Sequence, residues 1–184
     1  MHSHSLKNHF LIAMPTLADN RFAKTVTYIC EHNEGGAMGI VINQPASISH
    51  GELFSQLKLG ANIQNDFPLL LGGPVKKERG FVLHSADRHW ASTMSVSADI
   101  SITGSKDILE DIANNNGPKD ALIALGYAGW STNQLEKEIA DNSWLTVPAN
   151  KEIIFHTPIE KRWESSAQQL GIDLHLLSSQ AGHA

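Results

Sequence analysis

Apolar residues in this chain come in short runs, each broken by glycine, proline or asparagine. That rhythm belongs to a protein of many short strands with helices set between them. Phe10-Leu-Ile-Ala-Met14 predicts a first strand, stopped by Pro15, with Asp19-Asn20 as a turn or helix cap beyond it. Thr25 to Glu31 alternates β-branched and aromatic residues and predicts a second strand. Asn33-Glu-Gly-Gly36 is turn chemistry, and Ala37 to Ile42 returns as a third strand, so the pair predicts a hairpin. Ser49-x-x-Glu52 is a capping box ahead of Leu53, Phe54, Leu57 and Leu59 at helical spacing, with Gly60 as the stop.

The pattern continues with strands at Pro68–Leu71 and Gly80–His84, joined through Gly72-Gly73-Pro74 and the charged Lys76 to Arg79. Residues 85–93 read as loop, and Met94 to Thr103 holds one or two strands. Ser105 caps a helix that ends at Asn114-Asn-Asn-Gly117-Pro118. Ala121 to Leu125 reads as a strand buried on both faces, followed by a glycine turn (Gly126, Gly129) and a helix opening at Ser131, with Gln134 closing a capping box. Ser143–Val147 and Glu152–Phe155 predict two more strands around Pro148-Ala-Asn150. Thr157-Pro-Ile-Glu160 predicts a helix running to about Leu170 with Gly171 at its end, and Ile172–Leu177 a short edge strand.

Strands and helices interleave without strict alternation, so the expected fold is α/β of the α+β kind: one domain, a mixed β-sheet and about four flanking helices. The chain has 184 residues, enough for one sizeable core. The domain is expected to span 9–177, with disordered tails at 1–8 and 178–184. No repeat or linker divides it.

Charge and cysteine narrow the function classes. A formal charge of −5 argues against a strongly nucleic-acid-binding surface. Cys30 is the only cysteine, so no internal disulfide forms and a reducing compartment is expected. Phe10 to Met14 is too short to span a bilayer and lacks the shape of a signal peptide, so the cytoplasm is the expected location.

Two constellations carry candidate chemistry. In the first, His32, Asn43 and His84 fall at predicted strand ends, with Arg79 and the Gly72-Gly73 backbone as an anion hold. The histidines are candidate acid–base groups or switches; the plainer reading is that these groups satisfy backbone at strand ends. In the second, Gly126, Gly129 and Ser131 would leave free N–H groups at a helix start, a site for an anion. The plainer reading there is a tight corner packed by Tyr127 and Trp130. No metal site is expected: the histidines are scattered, the His2-x-His4 pair sits in a tail, and one cysteine makes no thiolate zinc site. Cys30 lies mid-strand and reads as a small hydrophobe. Glu136 and Glu138, two apart on a helix, do not share a face and read as solvated.

Long ordered motifs then suggest a relation. They are Phe10–Pro15 with Asp19 and Phe22; His32 with Gly36-Ala-Met-Gly-Ile-Val-Ile-Asn43; Gly72-Gly-Pro-Val75; Arg79–His84; Ala124-Leu-Gly-Tyr-Ala-Gly-Trp130 with Gln134, Glu136 and Glu138; and Trp144 before Phe155. In these the chain resembles the AlgH/YqgE family of small bacterial proteins over essentially its whole length. The resemblance implies a cytosolic single-domain α/β fold with a mixed sheet, and carries a transcriptional-regulator label. It brings no catalytic residue, substrate or cofactor, and no cofactor is expected. The expected function is a regulatory or adaptor protein binding a small ligand or a protein partner, with any influence on transcription indirect. The alternative is an enzyme using a His32/Asn43/His84 pocket. Direct DNA binding ranks last, for want of a basic recognition helix.

Overall fold

A computed structural model describes residues 5–15, 22–59, 67–174 and 176. In chain order the elements are β1 (His9–Ala13), β2 (Val26–Asn33), β3 (Gly36–Val41), α1 (His50–Gln56), β4 (Leu69–Leu71), β5 (Val75–Ser85), β6 (Met94–Ser95), β7 (Ile100–Thr103), α2 (Lys106–Ala113), β8 (Ala121–Trp130), α3 (Gln134–Ala140), β9 (Trp144–Pro148), α4 (Lys151–Phe155) and α5 (Arg162–Gln168), with a 3-10 turn at Ile159–Lys161. The strands form one sheet in the order β6-β7-β5-β8-β3-β2-β1-β9. Every pairing on that path is antiparallel; β4 adds to β8 in parallel, which makes the sheet mixed as expected.

The two faces of the sheet follow from strand alternation. Phe10, Ile12, Tyr28, Ile40, Leu83, Ile102, Leu122 and Ala124 point to one side, where Ile154, Trp163 and Leu174 close the main core. That core draws on both ends of the strand order, from β7 to β9, so the sheet curls around it. The outer face carries two smaller clusters. Leu53 and Phe54 of α1 and Ile108 and Ile112 of α2 cover Val82, Ala121 and Ile123. Leu135 of α3 covers Leu11, Ile29, Ala128 and Trp130.

β8 is a long central strand and corrects the glycine-turn expectation. It does not stop at Leu125 but runs on to Trp130, pairing first with β4 and β5 and then with β3. Gly126 sits in it at φ +76°, a left-handed residue inside a strand. The effect is a change of parity: Leu122 and Ala124 face the main core before it, Tyr127 faces that core after it, and Ala128 and Trp130 face α3. Opposite this point β5 bulges as well, because Val75 pairs with Tyr127 but Gly80 with Leu125. The charged residues 76–79 are thus part of β5, thrown out to solvent.

Four further expectations change. Glu152–Phe155 is helical, because the Asn150 side chain accepts from the Glu152 N–H at 2.9 Å and starts α4. Thr157 does not cap: its hydroxyl donates to the Glu152 carbonyl at 3.3 Å, and only a 3-10 turn precedes α5. Among the described residues of 172–176 none is in a strand; Ile172 and Leu174 pack on the main core instead. Of the stretch 1–8 expected to fray, residues 5–8 are tied down, with the Leu6 N–H on His32 and the Asn8 N–H on Ile29. The Asp19-Asn20 turn, the Gly60 stop, the His2/His4 pair and the stretch 178–184 lie outside the described residues.

The last helix is anchored by two adjacent residues. The Trp163 indole N–H donates to the Ala13 carbonyl at 3.0 Å. Arg162 is buried and donates to the Thr157 and Ile42 carbonyls at 2.9 and 2.5 Å. Burial pulls its guanidinium down to about 10, so it stays charged at neutral pH. No helix among the described residues is long and apolar enough to cross a membrane.

Candidate functional site

The predicted histidine pocket does not form. β8 sets the scale: His84 pairs with Ala121 at its start, and His32 pairs with Ala37, itself the partner of Trp130 at its end. Nine residue steps along a strand are about 30 Å. Antiparallel neighbours put strand ends at opposite poles, and the enzyme reading built on His32, Asn43 and His84 falls with that distance.

Each of these residues is also occupied locally. His32 accepts the Leu6 N–H on Nδ1 at 2.8 Å, which leaves the proton on Nε2, facing the Glu136 carboxylate at 3.3 Å. Asn43 accepts the Val26 N–H and donates to the Lys24 carbonyl, both at 2.9 Å. His84 is fully buried, with the Trp90 ring edge-on at 5.2 Å. Its Nδ1 lies 2.8 Å from the Ser85 carbonyl, which only accepts, so the proton is there. Its Nε2 then accepts from the Thr103 hydroxyl at 2.7 Å, and Thr103 accepts from Thr93 at 2.7 Å. Burial holds the His84 imidazole below its ordinary value despite opposing pulls from Ser85 and Asp87.

The glycines do come together, for packing rather than for an anion. A Cβ on Gly72 would sit 2.5 Å from the Gly126 carbonyl, and one on Gly73 2.1 Å from the Tyr127 carbonyl carbon. The Gly72 N–H is already spent on Leu125 and its carbonyl on Val41. Gly129 pairs with Met38 inside the sheet. Ser131 donates its N–H to Gln134 at 2.9 Å, so one half of the capping box forms, although the residue before α3 is Asn133. Arg79 stacks on Phe81, 4.9 Å from its ring centre, on the core side of the sheet.

One group carries more than the sequence suggested. Glu138, expected to be solvated, accepts the indole N–H of Trp130 at 3.1 Å and of Trp144 at 3.0 Å on one oxygen, and Gln134 at 2.9 Å on the other. The spacing of the indoles, eight and six residues from Glu138, gives no hint, because they arrive from two strands. Cys30 is buried, as expected; burial raises its thiol well out of the reactive range.

The largest cavity among those described lies elsewhere, at the pole where β5 ends and β8 begins. It is a cleft of about 500 Å³ between the Ser85–Asp87 turn, Asp99, the Lys119-Asp120 turn and α4. Its walls carry four carboxylates (Asp87, Asp99, Asp120, Glu152), two ammonium groups (Lys119, Lys151) and His156. The Ser85 hydroxyl ties the two turns together, donating to Asp87 at 2.5 Å and accepting the Asp120 N–H at 3.0 Å. Partial burial raises the Asp87 carboxyl, but hydrogen bonds from Ser85 and the Lys119 N–H outweigh this and hold it below its ordinary value. His156 Nε2 lies 3.5 Å from Asp120, the pair half-open to solvent. Among the described residues no group of three or more His, Cys, Asp or Glu is arranged to hold a metal ion. No feature of the sequence pointed here, since the walls come from three separate loops and α4.

Comparison with known proteins places the whole chain. A family model described as DUF179, AlgH-like, matches residues 10–175. A UPF0301 protein of Saccharophagus degradans is 56% identical over 98% of this chain and 89% of its own length. A UPF0301 protein of Nitrosococcus oceani is 51% identical over 97% of this chain and 96% of its own. The solution structure of the AlgH protein from Pseudomonas aeruginosa superposes with a TM-score of 0.82 at 47% identity, covering 100% of this chain and 98% of that one. A crystal structure from Corynebacterium diphtheriae, 17% identical with a TM-score of 0.76 over 96% and 93% of the two chains, shares the fold. The family resemblance read from the motifs therefore holds, and this chain belongs to the AlgH-like family.

Proposed function

We propose that this protein is a non-catalytic binding protein of the cytoplasm, whose ligand is a small polar molecule bearing positive charge. The observation that carries this reading is the cleft at the β5–β8 pole. Its size is that of a small-molecule site, and its walls set four carboxylates against two ammonium groups. A ligand with an amine would find charge-assisted acceptors there, and one with an amine and an acid could use Lys119 or Lys151 as well. Catalysis has less support. The candidate imidazoles are spent on backbone and hydroxyl partners, and the Ser85 hydroxyl donates to Asp87 rather than to a base. A regulatory or adaptor role follows from ligand-dependent changes in the turns around the cleft, and any effect on transcription is then indirect.

The test is a titration of ¹⁵N-labelled protein with putrescine, L-ornithine and citrate. Putrescine and ornithine are expected to give saturable amide shifts at Ala86, Asp120 and residues 152–156, while citrate gives none. Asp120→Asn should weaken the diamine about tenfold, the worth of one charge-assisted hydrogen bond. Silence of those amides toward both amines, or a stronger response to citrate, rejects the reading.

A further inference from the structure

A second cavity lies far from the polar cleft, on the outer face of the sheet where β4 ends. It has a volume of about 190 Å³. Phe22, Val41, Leu71 and Pro74 supply apolar walls, and Gln44 and Lys77 are its polar lining residues. Among the described residues no carboxylate lines it. Lys77 stands there because β5 bulges: the displaced residues 76–79 lift off the ladder, and Lys77 comes to rest beside the backbone of Gly126. Its side chain is exposed and has no carboxylate partner among the described residues.

The floor of this face offers a further observation. Thr27 pairs directly with Val41 across β2 and β3, so both side chains share the outer face. Thr27 is fully buried, and its hydroxyl has no hydrogen-bond partner among the described residues. A buried hydroxyl without a partner is a standing cost to the fold, and this one lies beneath Val41 rather than on the cavity lining.

We propose that this cavity binds a short aliphatic carboxylate, with the chain among Phe22, Val41, Leu71 and Pro74 and the carboxylate on Lys77. The inference is independent of the polar cleft. Charge complementarity selects an anion, because among the described residues the polar lining includes one ammonium without a carboxylate partner and no acid. The donor count selects a monoanion: among the described residues Lys77 is the one cation of the lining, Gly72 has spent its N–H on Leu125, and Arg79 lies on the opposite face. Size selects a short chain, since the volume is roughly that of six water molecules.

The probes are hexanoate, its neutral isostere hexanamide, and acetate, added at millimolar concentration to the full ¹⁵N-labelled chain. Hexanoate is expected to give saturable shifts at Gly39, Val41, Leu71 and Gly73, about tenfold tighter than hexanamide, with acetate weaker than both. Lys77→Ala, on an exposed side chain, should cost hexanoate about tenfold and remove its preference over the amide. Leu71→Phe should fill the cavity and abolish the response. Absence of saturable shifts with hexanoate overturns the proposal. So does equal binding of acid and amide, or a Lys77→Ala protein that binds hexanoate unchanged. Putrescine in the same samples reads the polar cleft separately, so loss of one site is distinguishable from loss of the other.

Discussion

At Glu138 a single carboxylate completes the bonding of two buried indoles. Removing it leaves two N–H donors without acceptors in an apolar cluster, each worth about 1–3 kcal/mol. Glu138→Ala is therefore expected to lower unfolding free energy by about 3 kcal/mol in urea titrations, while Glu138→Gln, which keeps one acceptor oxygen, loses under about half of that. Equal losses in the two variants would show that the indoles do not depend on this oxygen. His84 makes the matching case for pH. Its folded-state value is lowered, chiefly by burial, so the unfolded chain binds the proton first as pH falls below the ordinary 6.5. Stability from this group is thus fully present above 6.5 and is lost on acidification, at up to about 1.4 kcal/mol per pH unit. Urea midpoints should fall between neutral and mildly acid pH, and His84→Gln should flatten that fall. An unchanged slope in the variant would assign the effect to other groups.

Among the elements, β8 shows what local pattern can and cannot reveal. Gly126 reads as a turn because left-handed glycine is turn chemistry, and the same conformation makes a bulge when strands wait on both sides. Which of the two occurs depends on β3, β4 and β5, brought from distant parts of the chain. For the same reason Ile153-Ile-Phe155 looks like a strand until Asn150 caps it. The hairpin of β2 and β3, the capped α1, the span of α2 and the mixed sheet were legible, because capping and alternation are local signals, although the Ser105 hydroxyl donates to Asp107 rather than capping α2. The candidate site was legible only in its residue types. His32, Asn43 and His84 do end up bonded near strand ends, but no local signal says which pole each end occupies. The bulge predicts its own test. Gly126→Ala places a Cβ 2.6 Å from the Gly73 carbonyl oxygen at φ +76°, whereas Gly171→Ala, at φ +71°, meets nothing within 4 Å. Gly171→Ala should cost about 1 kcal/mol, the conformational part alone, and Gly126→Ala at least about 2 kcal/mol more. Similar losses in urea titration would mean that the sheet yields at Gly126 at little cost.

For the whole molecule the question is whether the three clusters can come apart. They meet in β8: Leu122 and Ala124 belong to the main core, Ala121 and Ile123 to the α1–α2 layer, and Ala128 and Trp130 to the α3 layer. The main core also spans the sheet from β7 to β9 and takes in α4 and α5. Loss of one layer exposes a face of the strand that the other two require, so unfolding is expected to be a single cooperative step. The four tryptophans are placed to report on this. Trp90 packs on the α1–α2 layer, Trp130 and Trp144 lie in the α3 layer, and Trp163 lies in the main core. Variants retaining Trp90, Trp130 or Trp163 as the sole tryptophan have different stabilities, so each is compared with its own far-UV signal. In every one, fluorescence and backbone midpoints in urea should coincide. A Trp90 signal that moved before the backbone would show the outer α1–α2 layer opening alone. The bulge at Gly126 would then be a hinge between two halves of the sheet rather than the splice that joins them.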